Sequence, residues 1–215
     1  MGILGTGMVG NAIGSRLISL GHKVKMGSRT AGNDKAKAWV AKNGSSASED
    51  TFAGAAKFGE IIFNCTSGKA SLEALKSAGA LNLKYKILVD VANPLDFSKG
   101  MPPSLTVCNT SSLGEEIQKA FPDVKVVKSL NTMNCNLMGN PQSIAGGDHN
   151  VFVAGNDETA KNKVRDILKE FGWKPENIID LGDITASRGL EMILPLWLRI
   201  MGKVGSGAFN FKIVN

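Results

Sequence analysis

Short apolar runs along this chain alternate with longer segments in which apolar residues recur every three or four positions. Continuous runs are typical of strands covered on both faces of a parallel sheet, and the longer spacing is typical of helices that pack one face against it. The runs lie at residues 1–4, 22–27, 61–65, 87–91 and 124–130. This alternation predicts an α/β protein with a doubly wound parallel sheet and right-handed crossovers.

Helices are predicted between the runs, at 11–20, 34–42, 49–57, 70–78 and 113–121, and residues 45–48 are predicted to form a loop. The pattern then continues with strands at 150–154 and 178–181, a helix at 157–171 and a long apolar helix at 184–203 that bends at Pro195. The tail at 209–213 alternates like a strand or an extended docking arm. We therefore expect a principal domain at 1–130 and a small C-terminal α/β extension at 131–215.

A G-x-G-x-x-G turn follows the first run and opens the first helix; it consists of Gly5, Thr6, Gly7, Met8, Val9 and Gly10. Gly5 permits the sharp turn, Gly7 permits close approach of a pyrophosphate, and Gly10 permits close packing of helix on strand. The helix N-terminus adds free N–H groups and a positive dipole. The sequence thus predicts a Rossmann domain that binds a dinucleotide. Its first strand is short, so we expect one or two residues to precede it, and we expect no signal peptide because the glycine turn begins at residue five.

The end of the second strand predicts which dinucleotide binds. An NAD site has a carboxylate there, which accepts from the ribose 2′-OH. This chain has Ser28, Arg29 and Thr30 instead, with Lys35 at the start of the next helix. A hydroxyl and a guanidinium suit a 2′-phosphate, which a carboxylate would repel. We therefore expect NADP(H).

Ligands of open parallel sheets lie beyond the carboxyl ends of the strands. The later strands end in three further groups: Cys65, Thr66 and Ser67; Ala92, Asn93 and Pro94; and Asn131, Thr132 and Met133. We expect the first two groups to contact the cofactor near its nicotinamide. The third group is expected to face a second substrate.

A proton donor for carbonyl reduction is missing from these strand ends. His22 and Tyr85 precede strands, at the wrong end of the sheet, and His149 lies in a turn. Lys69 is the one candidate donor, and a surface lysine is the more ordinary interpretation. A site of amides, hydroxyls and small apolar residues suits direct hydride transfer between two flat rings, in which the protein supplies orientation. We assign no catalytic residue.

The composition excludes several other classes of protein. The net charge of +6 comes from scattered lysines with no interleaved aromatic residues, which argues against nucleic acid binding. The three cysteines lack paired spacing, which argues against a disulfide framework or a metal site and fits a reducing cytoplasm. The richest apolar segment, 190–201, is too short to span a membrane.

Several segments together resemble the NADPH-dependent, coenzyme F420 reductase-like family of dinucleotide-binding proteins. They are the glycine turn, the sequence Gly-Ser-Arg-Thr at 27–30, Asn-Pro-Leu at 93–95, Lys-Ser-Leu-Asn-Thr at 128–132, the segment 151–157 and the tail at 209–213. The resemblance implies NADP(H) held by Thr6, Ser28, Arg29 and Lys35. It also implies a C-terminal extension that helps to close the site and form a homodimer, and direct hydride transfer to a deazaflavin.

Two positions on the second-substrate side differ from that family. Asn131 stands where the F420 enzymes carry histidine, and Thr66-Ser67-Gly68 replaces a proline-containing exit. The Asn-Thr pair also resembles the reductase domains of transmembrane metalloreductases, which reduce a flavin. Two alternatives stay open: an imine or carbonyl reductase similar to pyrroline-carboxylate reductases, and a non-catalytic NADP(H) sensor.

Overall fold

The computed structural model describes residues 1–214. Within them the strands are β1 (Gly2–Leu4), β2 (Val24–Ser28), β3 (Ala47–Thr51), β4 (Ile61–Asn64), β5 (Ile87–Asp90), β6 (Leu95–Asp96), β7 (Ser104–Leu105), β8 (Lys125–Ser129), β9 (Val151–Gly155) and β10 (Ile178–Asp180). The α-helices are α1 (Met8–Ser19), α2 (Asp34–Asn43), α3 (Phe52–Phe58), α4 (Gly68–Ala78), α5 (Ala80–Leu83), α6 (Leu113–Ala120), α7 (Cys135–Met138), α8 (Glu158–Phe171), α9 (Ser187–Met192) and α10 (Leu194–Val204).

Eight strands form one sheet in the order β10-β9-β8-β5-β4-β1-β2-β3, and β6 and β7 form a separate hairpin. The chain order reverses between β1 and β4, as in a Rossmann sheet, where that reversal opens the ligand crevice. The predicted α/β Rossmann class is therefore confirmed. Two strands depart from a fully parallel sheet, because β10 pairs parallel to β9 and β9 runs antiparallel to β8. The connection between them holds only short helical turns and re-enters the sheet at the carboxyl end of β8.

Strand side chains alternate between two apolar layers, as period-two geometry requires. On β4, for example, Ile61 and Phe63 belong to an apolar cluster that includes residues of α1, α2 and α8, whereas Ile62 belongs to a second cluster with residues of α3, α4 and α6. Both faces of the central strands are thus buried, which explains their unbroken apolar sequences. β9 and β10 extend the same sheet, so the strands after residue 130 share the core of those before it. The boundary at residue 130 stays a prediction.

Three local predictions were wrong or incomplete. Residues 47–51 form an edge strand, where the sequence predicted a loop and the start of a helix. The prediction failed because Ala-Ser-Glu-Asp-Thr carries no apolar pattern, and most of its side chains lie at the sheet edge. α1 begins at Met8, three residues before the predicted start. The helix predicted at 184–203 is a short 3₁₀ turn followed by α9 and α10, which are divided at Ile193 just before Pro195.

The tail is extended and docks through side chains of the segment that leads into β9. Asn150 donates from its backbone N–H to the Phe211 carbonyl, and its Oδ1 accepts from the Ile213 N–H at 2.6 Å. Asn210 Nδ2 donates to the Asn150 carbonyl oxygen and lies 2.7 Å from His149 Nδ1. Of the two forms predicted for the tail, the structure therefore shows the docking arm.

Candidate functional site

The turn between β1 and α1 has the backbone that close approach of a pyrophosphate requires. Gly5 has a φ of +118°, and a side chain there would meet the Cys65 carbonyl oxygen at 2.6 Å. A Cβ on Gly10 would collide with the Gly5 carbonyl oxygen, so only glycine lets α1 pack this closely. A Cβ on Gly7 would meet nothing within 4 Å, so a ligand has free access at that point. The residues present fit a dinucleotide.

The N-terminus of α1 is open to an anion. Its N-cap residue, Gly7, offers no side-chain cap, and the first turn contains no acidic residue. The Asn11 side chain donates to the carbonyl oxygens of Thr6 and Gly7 at 3.1 and 2.9 Å, which fixes the turn without occupying its N–H groups. Those N–H groups and the positive helix end are therefore available to phosphate.

A cavity of about 730 Å³ runs from this turn to the carboxyl end of β2. Its walls include Gly5, Thr6, Gly7, Ser28, Arg29, Thr30, Asn33, Cys65, Thr66 and Ser67. The buried Ser28 hydroxyl donates to the Thr30 carbonyl oxygen at 2.5 Å and so shapes the loop after β2. The exposed Arg29 guanidinium has no ion-pair partner anywhere in the described chain, which leaves its charge free for a ligand.

A second cavity of about 430 Å³ adjoins the first, and Thr66 and Ser67 line both. Its walls are Val9, Gly68, Lys69, Val91, Ala92, Asn93, Leu95, Asp96, Phe97 and Ser98 in addition to the shared pair. The Phe97 ring, in the loop after β6, is 55% exposed beside this cavity. The pair of cavities forms one groove across the carboxyl ends of β1, β2, β4 and β5, with mainly apolar surface at the second end.

The two loops that separate the cavities are in close contact. A Cβ on Gly68 would collide with the Asn93 carbonyl oxygen and lie 2.8 Å from the Pro94 Cα, so the start of α4 requires glycine. Asn93 Nδ2 donates to the Asn131 carbonyl oxygen, and Asn131 Nδ2 donates back to Asn93 Oδ1, both at 2.8 Å. The exits of β4, β5 and β8 therefore form a single connected wall.

A fully buried polar network lies behind that wall. Lys128 on β8 has no exposed surface, and its Nζ lies 2.8 Å from Asp90 Oδ2 and 2.7 Å from Glu191 Oε1. It also donates to the Ala92 carbonyl oxygen at 2.6 Å. Asn64 Nδ2 donates to the other Asp90 oxygen at 2.8 Å. Glu191 accepts further from the first N–H groups of α6.

Burial and charge compete within this network. Burial acts to lower the pKa of Lys128, but the adjacent carboxylates of Asp90 and Glu191 outweigh it, and the pKa is raised above its ordinary value. Burial raises the pKa of Glu191, an effect that the attraction of Lys128 only partly offsets. Both Glu191 oxygens accept hydrogen bonds, which is the pattern of a carboxylate.

Residues 1–94 match the family model described as NADP oxidoreductase, coenzyme F420-dependent. A crystal structure from Arthrobacter sp. FB24, provisionally named an F420-dependent NADP-reductase, is 50% identical, covers 99% of this chain and 98% of its own, and superposes with a TM-score of 0.94. This chain belongs to that family. It is an NADP-dependent oxidoreductase.

Two curated relatives are more distant from this family member. The F420-dependent NADP reductase of Methanocaldococcus jannaschii is 29% identical over 166 residues, which are 75% of this chain and 70% of that protein. The metalloreductase STEAP3 of Rattus norvegicus is 29% identical over 208 residues, which are 92% of this chain. The match spans only 37% of the rat protein's length.

Some residues predicted for the site of this family member lie outside both cavities. Met8 is 80% exposed at the start of α1, and Lys35 is exposed on α2. Pro94 is buried behind the wall. The predicted second-substrate group is also buried: Asn131 bonds to Asn93 and to the Leu190 carbonyl oxygen. The other members of that group, Thr132 and Met133, are 2% and 6% exposed.

The sequence interpretation missed residues 95–98, which line the second cavity. The available signal was the long polar loop after 93–95, since long loops in compact domains are commonly functional. It also missed Asn33, which lines the first cavity while its side chain caps α2. Glu49 on the unrecognised strand β3 accepts from the Gly32 N–H and so fixes the loop beside Arg29.

The two histidines lie outside the groove, whereas Lys69, the one candidate proton donor, lies within it. His22 bonds to Glu170 at 2.7 Å and His149 to the Pro141 carbonyl oxygen at 2.9 Å, both outside the cavities, whereas Lys69 lines the second cavity.

Burial and the charge of Asp90 raise the pKa of the Cys65 thiol above its ordinary value. Over residues 1–214 no group of three metal-binding side chains occurs, and none of the helices there is long and apolar enough to cross a bilayer.

Proposed function

We propose that this NADP-dependent oxidoreductase exchanges hydride directly with a flat deazaflavin or flavin acceptor of the coenzyme F420 type. The observation that carries the proposal is the second cavity, which adjoins the glycine-turn groove at Thr66 and Ser67 and is walled by apolar side chains and the exposed Phe97 ring. The name of the 50% identical Arthrobacter protein supports this acceptor class. When bound, NADPH supplies the hydride from its nicotinamide ring.

The first cavity is proposed to hold the dinucleotide. The glycine turn, Gly5 to Gly10, would bind the pyrophosphate through N–H groups of α1. Ser28, Arg29 and Thr30 would surround the 2′-phosphate, with Arg29 supplying the charge. Lys35 would add long-range attraction only, since it does not line the cavity.

The remaining strand ends are proposed to orient the reacting rings. Cys65, Thr66, Ser67, Ala92 and Asn93 would border the nicotinamide, and the second cavity would stack the acceptor against it. Asn131, Thr132, Met133 and Pro94 would act from behind, by fixing Asn93 and its loop. No side chain need donate a proton during direct hydride transfer, so orientation is the main contribution of the protein.

An acceptor panel tests the proposal. Purified protein is incubated with NADPH deuterated at the transferring position and with F420, FMN, FAD or a cyclic imine in turn. We expect reduction of F420, with deuterium recovered on its ring carbon, or reduction of a flavin, which absorbance reports because the flavin N–D exchanges with water. Reduction of the imine alone would assign the enzyme to carbonyl-type reductases, and NADPH binding without any turnover would favour a sensor.

Phe97 gives a residue-level control for the acceptor. Phe97→Ala removes the exposed ring and should raise the acceptor KM about tenfold, the scale of about 1–1.5 kcal/mol for lost aromatic stacking. The KM for NADPH should be unchanged, because Phe97 lies at the second cavity only. Phe58 is also partly exposed and lies away from both cavities, so Phe58→Ala is a matched variant that should change neither constant.

We also propose that the protein is a homodimer joined through α9 and α10. Leu194 and Trp197 face the protomer core, whereas Met192, Leu196 and Val204 remain 37–60% exposed. A helix that is apolar on both sides is typical of an interface. Light scattering should give twice the mass of the chain, and Leu196→Glu should yield monomer; a monomeric wild type would refute this.

A reducing cytoplasm is proposed as its compartment. The cysteines Cys65, Cys108 and Cys135 are all unpaired, and Cys108 is exposed. Exposed free thiols are typical of reducing compartments. Localisation of a tagged chain in its native host tests this.

A further inference from the structure

We propose that Lys128 is a positioning residue, which fixes both walls of the reaction groove and couples them to the C-terminal helix α9. This inference rests on the proposed use of the two cavities, because the network around Lys128 ends at Ala92, which lines the second cavity, and at Thr66, which lines both. Its ammonium group has three N–H donors. They meet Asp90, the Ala92 carbonyl oxygen and Glu191, at distances of 2.6–2.8 Å.

One branch of the network reaches the loop after β4. Asp90 Oδ1 accepts from Asn64 Nδ2 at 2.8 Å, and Asn64 Oδ1 in turn accepts from the Thr66 hydroxyl at 2.7 Å. Thr66 lines both cavities. A displacement of Lys128 would therefore be transmitted through two side chains to the point where the cavities meet.

A second branch acts on the loop after β5. The Ala92 carbonyl oxygen points to Lys128 Nζ, and the Ala92 N–H donates to Asp90 Oδ1 at 3.3 Å. Both polar groups of this one peptide segment are thus held by the ion cluster. Ala92 and its neighbour Asn93 line the second cavity, so the cluster fixes the wall against which a ring would lie.

The third branch connects the groove to the C-terminal region. Glu191 on α9 contacts Lys128 through Oε1 and accepts from the Leu113 and Gly114 N–H groups at 2.8 and 3.1 Å. It therefore joins α9, the start of α6 and β8 at a single carboxylate. Movement of α9 would change the position of Lys128 and, through it, both walls.

Stability alone does not require such a cluster. Desolvation of three charged groups is costly, and an apolar set of similar volume often stabilises a core equally well or better. Apolar side chains make no directional contacts, whereas each Lys128 N–H fixes the position of one acceptor. One acceptor, Ala92, lines the second cavity, Asp90 leads through Asn64 to Thr66, and Glu191 lies on the C-terminal helix, so geometry is the benefit that compensates for burial.

A matched pair of variants separates positioning from stability. Glu191→Gln keeps the side-chain size, removes the negative charge beside Lys128 and leaves one acceptor oxygen in place of two, so part of the hydrogen bonding from Lys128 and the first N–H groups of α6 is lost. Arg188→Gln breaks a different ion pair between α9 and α6, in which Arg188 Nη2 and Nε contact the Glu115 carboxylate at 2.5 and 2.9 Å. Within residues 1–214 Arg188 forms no hydrogen bond or ion pair with Lys128, Asp90 or Glu191, so it controls for loosening of the helix pair.

Circular dichroism first verifies that each variant is folded. The measurements are then kcat, the KM for NADPH, the primary deuterium isotope effect and the fluorescence emission of bound NADPH. For Glu191→Gln we expect kcat to fall about tenfold to a hundredfold, the range for small misplacement of reacting groups. The KM for NADPH should stay within about twofold, and the isotope effect should rise because hydride transfer becomes rate-limiting. Arg188→Gln should change none of these.

Equal kinetic losses in the two variants, or a loss in Glu191→Gln with an unchanged isotope effect, would overturn the proposal. The kinetics use any acceptor that the wild type reduces, so they do not depend on F420. If the wild type reduces none, the proposed function fails separately, and emission of bound NADPH still tests Lys128: a change in Glu191→Gln but not in Arg188→Gln is expected. Should Glu191→Gln not fold, Asp90→Asn provides the same test from the sheet side.

Discussion

Arg29→Ala gives the sharpest test of the cofactor assignment. The guanidinium lines the first cavity, is exposed and has no ion-pair partner among residues 1–214, so its removal should not alter the folded protein. A hydrogen bond between charged groups contributes about 1.5–3 kcal/mol. Because solvent screens this exposed site, we expect the lower part of that range. NADPH binding should therefore weaken by about tenfold to thirtyfold.

Titration of NADPH fluorescence, or calorimetry with NADP⁺, measures the change, and NADH and NAD⁺ serve as the comparison. Their affinities should change by less than about twofold, since they lack the phosphate that Arg29 is proposed to contact. Arg29→Lys should recover part of the loss, because it restores charge but not the planar fork. The affinity for NADPH should also fall more steeply with salt in the wild type than in Arg29→Ala.

Lys35→Ala is the matched control, because it removes an equal charge from the next helix without touching the cavity. We expect less than about a threefold loss of NADPH affinity from it. Equal weakening of NADPH and NADH in Arg29→Ala would refute the reasoning, since the guanidinium would then not distinguish the phosphate. A larger effect of Lys35→Ala than of Arg29→Ala would place the phosphate elsewhere along the loop.

Three further predictions concern stability. Gly10→Ala should lower the free energy of unfolding by about 1–3 kcal/mol in urea titrations, because its Cβ collides with the Gly5 carbonyl oxygen. Lys128→Met should lower it by about 3–5 kcal/mol in the same assay, because it leaves buried carboxylates without their partner. Hydrogen bonds from Arg188 hold the pKa of Glu115 below its ordinary value. This pair should therefore stabilise the protein above about pH 4.5 and lose that effect as the pH falls. Acid unfolding of the wild type and of Arg188→Gln will measure the difference.

Each stability prediction has a contrasting case. Gly7→Ala should leave the urea midpoint nearly unchanged yet weaken NADPH binding, because its Cβ would meet no protein atom but would occupy the approach to the turn. An unfolding midpoint for Lys128→Met equal to wild type would contradict the buried charge argument. If the free energies of unfolding of Arg188→Gln and the wild type fall in parallel below pH 4.5, the Arg188–Glu115 pair does not contribute to the loss of stability in acid.

The strands that the sequence predicted well are those whose neighbours bury both faces. At β4 and β5 the first three residues of each strand pack into one or other apolar layer, so sequence and structure carry the same apolar signal. β3 has only β2 beside it, and four of its five residues are only partly buried. An edge strand of this kind is specified by backbone pairing to a neighbour already in place. Local sequence cannot reveal that.

The sequence also did not reveal the direction of β9 in the sheet. Its sequence, Val-Phe-Val-Ala-Gly, is that of a buried strand in either direction, and the sequence supports both. What decides the direction is the connection at 130–150, which holds α7 and two 3₁₀ turns and returns at the carboxyl end of β8. The strand was predictable, and its orientation depended on packing of a segment with little regular structure.

Lys128 shows why part of the site lies beyond sequence reasoning. β8 contains two lysines, Lys125 and Lys128, which occupy opposite faces of the strand because their spacing is odd. Lys125 is 38% exposed and pairs with Asp157, whereas Lys128 has no exposed surface at all. The difference arises from Asp90 and Glu191, whose carboxylates reach Lys128 from β5 and α9. A buried lysine is tolerated only where such partners converge, so the same residue type is solvated at one end of a strand and buried behind the groove wall near the other end.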